Sequence, residues 1–368
     1  MYIGLMSGTS IDGIDAALVA VGEDSVKQLD HHSQDYPQKL KSAIANIAAG
    51  ANDSLHELAT ADREIGVCFA EAANTLLRKA NLSADDIRAI GSHGQTVRHR
   101  PELTPSSRYT IQIGDPATIA EHTGIDTVAD FRRQDLVAGG EGAPLAPAFH
   151  GFQFAGQGRR VIVNIGGISN ATLLDGSVVT AGFDCGPGNT LLDAWTREHL
   201  GTEFDENGAW SAENDVDREL LTRLQSDPYF QRTGPKSTGP EHFNLQWLNS
   251  LLTGNEIAGE VQATLAELTA GAICDAILSQ SEQQPEDVYI CGGGARNVDL
   301  MRRMHTKLDA HDVRLGTTDD LGLAAEWVEA CAFAWLASQR INGLSGNVPS
   351  VTGANGPRLL GAVYAAPV

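Results

Sequence analysis

Cysteine is scarce in this chain and never paired by spacing. Cys68, Cys185, Cys274, Cys291 and Cys331 are scattered, odd in number and free of any CxxC arrangement. That excludes a disulfide framework or a cysteine-ligated zinc site as the basis of the fold. Lysine is almost as rare, six against twenty arginines, and the 26 basic residues face 47 acidic ones for a formal charge of -21. Such a charge excludes nucleic acid and anionic membrane as expected partners, because phosphate backbones are neutralised by basic patches. Any anionic ligand has to be met by local backbone amides, arginines or a metal ion. No stretch approaches the roughly 20 uninterrupted apolar residues of a membrane helix. No basic segment followed by an apolar core marks an export signal, so the expected location is cytoplasmic. What is present, 42% hydrophobic and 20% charged residues over 368 positions, suits a globular α/β protein with room for two domains.

The stretch "GLMSGTSIDGIDAALV", residues 4–19, sets a polar, glycine-bearing turn between two apolar runs. It reads as a strand from Tyr2 to Met6, a turn, and a strand from Ile14 to Val21, a hairpin whose turn lets a ligand approach the main chain. Ser7, Thr9 and Ser10 add hydroxyls. Asp12 and Asp15 add carboxylates, which repel a bare phosphate unless a divalent cation lies between, so the turn is a candidate loop for a metal-nucleotide complex. "RRVIVNIGGISNATLLDG", residues 159–176, repeats the plan with Gly166 and Gly167 in its turn, flanked by Asn164 and Asn170. Two such hairpins about one domain length apart predict a duplicated fold, divided near the glycines and prolines of residues 139–158, with domains at 1–150 and 151–368. Residues 54–80 and 260–280 carry apolar positions at helical spacing. "EDVYICGGGARNVDLMRRMHTKL" reads as strand, triple-glycine turn (Gly292, Gly293, Gly294) and helix, an arrangement that offers backbone amides to a nucleotide.

Other motifs admit two readings each. "FDCGPGN" puts Asp184 at a predicted strand end near Phe183, as a base facing a cleft or as the cap of the next helix, a place Asn189 could also take. "GSHGQT" presents His93 and Gln95 as a sugar-contacting edge or as a turn. "VADFRRQD" presents Asp130, Arg132 and Arg133 as an anion site or as a surface ion pair with Asp135. Glu329 is the polar candidate in the otherwise apolar "WVEACAFAWLA". Lys236, in "GPKSTGPEHFNLQWL", contacts a phosphate or merely belongs to a rigid loop.

Taken together, "GLMSGTSIDGIDAAL", "GSHGQT", "QIGDPATIAEHTG", "VADFRRQD", "NIGGISN", "GFDCGPGN", "GPKSTG", "CGGGARN" and "EACAFAWLA" stand end to end in the order of one family. On these motifs the chain resembles the anhydro-N-acetylmuramic acid kinases. It departs at Glu141, where the family usually has glutamine. The resemblance implies a hexokinase and actin-like ATPase fold: duplicated, ribonuclease H-like α/β domains with ATP and sugar in the interdomain cleft. It implies ATP-dependent opening of 1,6-anhydro-N-acetylmuramic acid to N-acetylmuramic acid 6-phosphate and ADP, with Mg2+ as cofactor and a homodimer as the assembly. By position it implies an ATP site of Gly8, Thr9, Ser10, Asp12, Gly13 and Asp15, joined by Asn164, Gly166, Gly167, Gly292, Gly293, Gly294 and Asn297. Asp12 and Asp15 would hold the metal, directly or through water. Asp184 would be the catalytic base, and His93, Gln112, Asp130, Arg132 and Glu329 would line the sugar site. The alternative within the same fold is a sugar kinase whose Asp184 deprotonates an ordinary hydroxyl.

Overall fold

The structure is a computed structural model that describes residues 1–8, 11, 13–50, 54–232, 236, 238–239, 241–280 and 284–367. It divides into two compact units, one of residues 1–153 and 327–368, the other of residues 154–326.

In the first unit β1 (Tyr2–Ser7) and β2 (Gly13–Val21) form the expected hairpin, with Tyr2 opposite Val19 and Met6 opposite Asp15. A third antiparallel strand, β3 (Val26–Asp35), follows at the sheet edge. Its sequence, VKQLDHHSQD, is too polar to signal a strand; it forms because β2 offers a row of backbone partners, and its side chains stay largely in water. β4 (Ala89–Arg100) lies parallel to β1, with β5 (Tyr109–Ile113) antiparallel and β6 (Thr127–Ala129) parallel to it. Helix Leu55–Ala80 connects the hairpin half to β4, as a parallel crossover requires. Ser54 caps its N-terminus by accepting from Glu57 N, left-handed Asn81 ends it, and Ala61, Ile65, Phe69, Ala73 and Leu76 make its buried stripe.

The second unit repeats this plan. β7 (Arg159–Ile165), β8 (Ile168–Asp175) and β9 (Val178–Pro187) are successive antiparallel neighbours. β10 (Asp287–Cys291) then lies parallel to β7, and β11 (Arg314–Thr317) parallel to β10. The order β9-β8-β7-β10-β11 matches β3-β2-β1-β4-β6, which is the duplication expected from the two hairpins. Helix Ala258–Gln280 serves two apolar clusters, through Val261, Leu265 and Leu268 on one and Ile273, Cys274 and Ile277 on the other. Within its residues 258–279 an 18-residue stretch has the mean hydropathy, 1.3, of a membrane span, but 83% of that stretch is buried within the protein, as in a core helix.

The domain expected over 151–368 does not stay together. Its last part, residues 327–368, belongs to the first unit. Helix Val328–Ile341 is apolar on nearly every side and packs against β1, β2 and β4, so closely that a Cβ on Gly4 or Gly91 would overlap the carbonyls of Ala330 and Phe333. Strand β12 (Ala362–Tyr364) then pairs with β6 and completes the first sheet. An all-round apolar helix needs a cover on all sides, and the strands of the first unit supply it.

Candidate functional site

The first unit anchors its polar loop by side chains of β1 and β4. Ser7 Oγ lies 2.7 Å from both Gly13 O and Gln95 Oε1, and Gln95 Nε2 donates to Gly8 O at 3.0 Å. Both ends of the loop are thus tied to one buried pair, and Gln95, fully buried, serves the loop. Ile11, β-branched and buried, holds φ 61°, a strained conformation that the surrounding bonds must enforce. Asp15 follows on β2 and accepts from Ser33 Oγ at 2.7 Å. Thr9, Ser10 and Asp12 lie outside the described residues. Among the described residues no cluster of three acidic, histidine or cysteine side chains gathers as a metal cage.

The same unit brings His93, Arg132 and Glu329 together. Arg132 donates through Nε (3.2 Å) and Nη2 (2.9 Å) to His93 Nε2, and through Nη1 to Gly142 O at 2.9 Å. A ring nitrogen that accepts carries no proton, so the His93 proton sits on Nδ1. Burial first, and then the Arg132 charge, push the His93 pKa well below its usual value, and the ring is neutral. Phe333 packs against that ring, with centroids 4.6 Å apart. Burial also lowers Arg132, to about 10, against the charges of Glu329 and Asp135, which favour the cation; the guanidinium stays charged at neutral pH. Glu329 occupies the first turn of helix Val328–Ile341. Asp130 adopts φ 62° and pairs with Arg133 at 3.4 Å, while burial raises its carboxyl pKa. The alternative ion pair with Asp135 is not what the structure holds: Asp135 is fully buried and accepts from Gly142 N, Asn347 Nδ2 and Thr352 Oγ1. Gln112 is engaged with Thr96 and Thr110 hydroxyls at 3.1 and 2.7 Å. An open cavity of about 440 Å³ is lined by Asp130, Arg133, Gln134, Val137, Ala138 and Arg358, and of the predicted sugar-site residues it includes Asp130 but not His93, Gln112, Arg132 or Glu329. Glu141 is exposed, and its backbone N donates to Thr352 O.

In the second unit the β7–β8 hairpin turn is clasped by the turn that leads from β9 into the next helix. Gly188 N and Thr190 N donate to Gly167 O, and Asn189 N donates to Gly166 O at 2.8 Å. A Cβ on Gly188 would overlap Gly166 O. Helix Thr190–Leu200 begins at Asn189, whose side chain turns away to Ile165 O, so the first turn of the helix has no side-chain cap. That leaves an N-terminus suited to an anion. Of the triple glycine, Gly292 and Gly294 are pressed against Asn164 and Ile165, whereas Gly293 is exposed. Asn297 caps helix Val298–Asp309 by accepting from Leu300 N, and Asn164 is buried at the end of β7.

Asp184 is not at a strand end near Phe183: β9 continues to Pro187 and pairs Asp184 with Asn170. Nor does it cap the following helix. Its Oδ2 accepts from Thr238 N at 3.0 Å, its backbone N donates to Lys236 O at 3.0 Å, and its carbonyl accepts from Tyr229 Oη at 2.9 Å. The loop around Lys236, ambiguous in sequence, therefore folds onto this carboxylate. Lys236 itself is 8% exposed, with Nζ 4.7 Å from the centre of the Tyr229 ring. Its glycine-rich, proline-rich setting disguised that burial, and the signal available was a lone lysine in an arginine-dominated chain.

A family model described as anhydro-N-acetylmuramic acid kinase matches residues 1–366. The chain is 46% identical over 369 residues to a protein of Shewanella halifaxensis named anhydro-N-acetylmuramic acid kinase, covering 99% of this chain and 98% of that protein. A Coxiella burnetii protein of the same name is 47% identical over 367 residues, covering 99% and 97%. Among solved structures, the activator of the 2-hydroxyisocaproyl-CoA dehydratase from Clostridium difficile with bound ADPNP is similar in fold, with TM-score 0.50 and 13% identity over 93% of this chain and 96% of that one.

Proposed function

The chain belongs to the anhydro-N-acetylmuramic acid kinase family, and from that premise we propose how its own residues carry out the reaction. The activity is ATP-dependent opening of 1,6-anhydro-N-acetylmuramic acid with phosphorylation of the oxygen on its sixth carbon, a step of cell-wall recycling. The proposed assignment gives Asp184 the role of base. It takes a proton from a water molecule whose oxygen bonds to the anomeric carbon, as the base of an inverting glycosidase does. The bond from that carbon to the bridging oxygen breaks, and the released oxygen bonds to the terminal phosphorus of ATP as ADP leaves. One water, one sugar and one ATP are consumed, and no second carboxylic acid is needed because the phosphoryl group captures the departing oxygen. The observation that carries this assignment is the orientation of Asp184, with one carboxylate oxygen held by Thr238 N and no helix-capping duty.

Phosphoryl transfer requires alignment and charge neutralisation. The turn tied by Ser7 and Gln95 and the uncapped helix start after Asn189 are assigned to the phosphates, with exposed Gly293 as a further backbone contact. Thr9, Ser10 and Asp12 join this assignment on sequence position. Asp15, a hard oxygen donor next to the loop, fits the one or two carboxylates with which proteins hold Mg2+, directly or through water. That ion supplies neutralisation of phosphate charge. The sugar is assigned to Arg132, His93, Asp130, Gln112 and Glu329, with Arg132 on the lactyl carboxylate, where a fork of donors matches a planar anion. Cytoplasmic location and a homodimeric state belong to the same reading; sedimentation of the purified protein checks the latter. The test of function is incubation with ATP, Mg2+ and the anhydro sugar. N-acetylmuramic acid 6-phosphate and ADP in equal amounts are expected, and ADP release without sugar phosphate contradicts the assignment.

A further inference from the structure

We propose that His93 is a positioning residue for Arg132: its Nε2 accepts two N–H groups along one edge of the guanidinium, orienting that cation without cancelling its charge and so reserving it for the carboxylate of the substrate. The proposal deepens the reading that assigns Arg132 to the lactyl carboxylate, and it rests on that reading.

The bonds made by Arg132 divide its donors by edge. Nε and Nη2 both donate to His93 Nε2, at 3.2 and 2.9 Å, and Nη1 donates to Gly142 O at 2.9 Å, so one N–H on each terminal nitrogen stays outside these contacts. Terminal N–H groups in pairs are the fork that meets a carboxylate. An imidazole nitrogen that accepts from a cation is unprotonated, and the ring carries no net charge. A carboxylate in its place would pair with the guanidinium and compete with an anionic ligand for it. The buried acid of this region, Asp135, acts at one remove. Its Oδ2 accepts from Gly142 N at 2.8 Å, and its Oδ1 accepts from Asn347 Nδ2 and Thr352 Oγ1, both at 2.7 Å. It thereby fixes the second jaw around Arg132 through the backbone of Gly142. Neither jaw moves easily. Gly142 adopts φ 71°, and a Cβ there would press on Leu136 and on the Arg132 carbonyl. His93 is 5% exposed, with the Phe333 ring centred 4.6 Å from its own, and Phe333 packs in turn against Phe131 at 5.5 Å. A ring so covered offers a ligand little surface of its own, whereas Arg132 is half-buried and keeps part of its surface open. His93 therefore acts through the arginine.

The test is calorimetric binding, without ATP, of 1,6-anhydro-N-acetylmuramic acid and of 1,6-anhydro-N-acetylglucosamine, which lacks the lactyl group. The proteins are wild type, His93→Leu, His93→Gln, His93→Glu, Arg132→Ala and the double variant of His93→Leu with Arg132→Ala, each verified as folded by thermal melts. His93→Leu is expected to weaken the muramic sugar about tenfold, the usual worth of hydrogen bonds to a charged group, and to spare the glucosamine sugar. His93→Gln, whose side-chain oxygen accepts as Nε2 does, is expected to restore much of that loss. His93→Glu is expected to bind the muramic sugar more weakly than His93→Gln, because its charge pairs with Arg132. With Arg132→Ala already present, His93→Leu is expected to add less than about a twofold loss. Additive losses in the double variant overturn the proposal, since His93 would then touch the sugar itself. So does a His93→Glu variant that binds the muramic sugar as tightly as His93→Gln, and this comparison decides alone if His93→Leu does not fold. Equal loss of both sugars from Arg132→Ala would instead overturn the carboxylate assignment on which the proposal stands.

Discussion

The roles proposed for Asp184 and Arg132 rest on what fixes each side chain. For Asp184→Asn the expected result is folded protein that binds ATP but turns over at least about a hundredfold more slowly, the usual contribution of a general base; steady-state kinetics beside nucleotide titration measures both. Arg132 is braced by His93 and Gly142, which spend part of its fork and orient the rest. Arg132→Ala is expected to weaken binding of the muramic substrate far more than that of an analogue lacking the lactyl group, as calorimetry can show; equal losses contradict the carboxylate assignment. Sequence singled out both residues as candidates, each with a second reading left open, because a carboxylate beside a rigid turn and an arginine after a strand are chemically conspicuous. Gln95 and Lys236 were harder to read. A buried glutamine tying a loop and a lysine folded onto a tyrosine depend on contacts between distant segments, which spacing along the chain does not encode.

At the scale of elements, the two hairpins and helices 55–80 and 258–280 followed from apolar periodicity and glycine-bearing turns. β3 did not, because edge pairing by backbone leaves no apolar alternation to detect. The end of β9 was misplaced for a related reason: the polar Asp184 and the glycine of "DCGPG" look like a turn, yet their backbones still pair with β8. The clasp of the two turns gives an element-level expectation. Gly188→Ala places a methyl group against Gly166 O and is expected to cost about 2 kcal/mol and to weaken binding of an ATP analogue. Gly201→Ala, where φ is 71° and no atom lies nearby, is the matched control. It is expected to cost about 1 kcal/mol and leave nucleotide binding alone, in thermal melts and titrations run side by side.

For the whole molecule, the return of residues 327–368 to the first unit means that unit is not finished until that segment joins it. A chain ending at Glu326 is expected to lose hydrogen-exchange protection in β1 and β4 while β7 and β10 keep theirs, since helix Val328–Ile341 packs against β1 and β4. The sequence did not reveal this, because an apolar helix carries no label for the sheet it covers. Stability should also depend on pH through the first unit. Burial lowers His99 from its ordinary 6.5 to about 4 and His150 to about 3, and lowers His93 as well. The unfolded chain therefore binds these protons at higher pH than the folded one, so stability is present above 6.5 and is lost as pH falls from 6.5 toward 4 and below. Calorimetric melting temperature against pH checks this, and a flat profile across that window contradicts it.

The central claim, that a water molecule activated by Asp184 opens the sugar bridge while ATP takes the oxygen so released, is tested most directly by turnover in heavy-oxygen water. Mass spectrometry of the sugar phosphate should be run against a control for spontaneous exchange. The account predicts one solvent oxygen at the anomeric carbon and none in the bond from the sixth carbon to phosphorus. A product with no solvent oxygen at the anomeric carbon would contradict it.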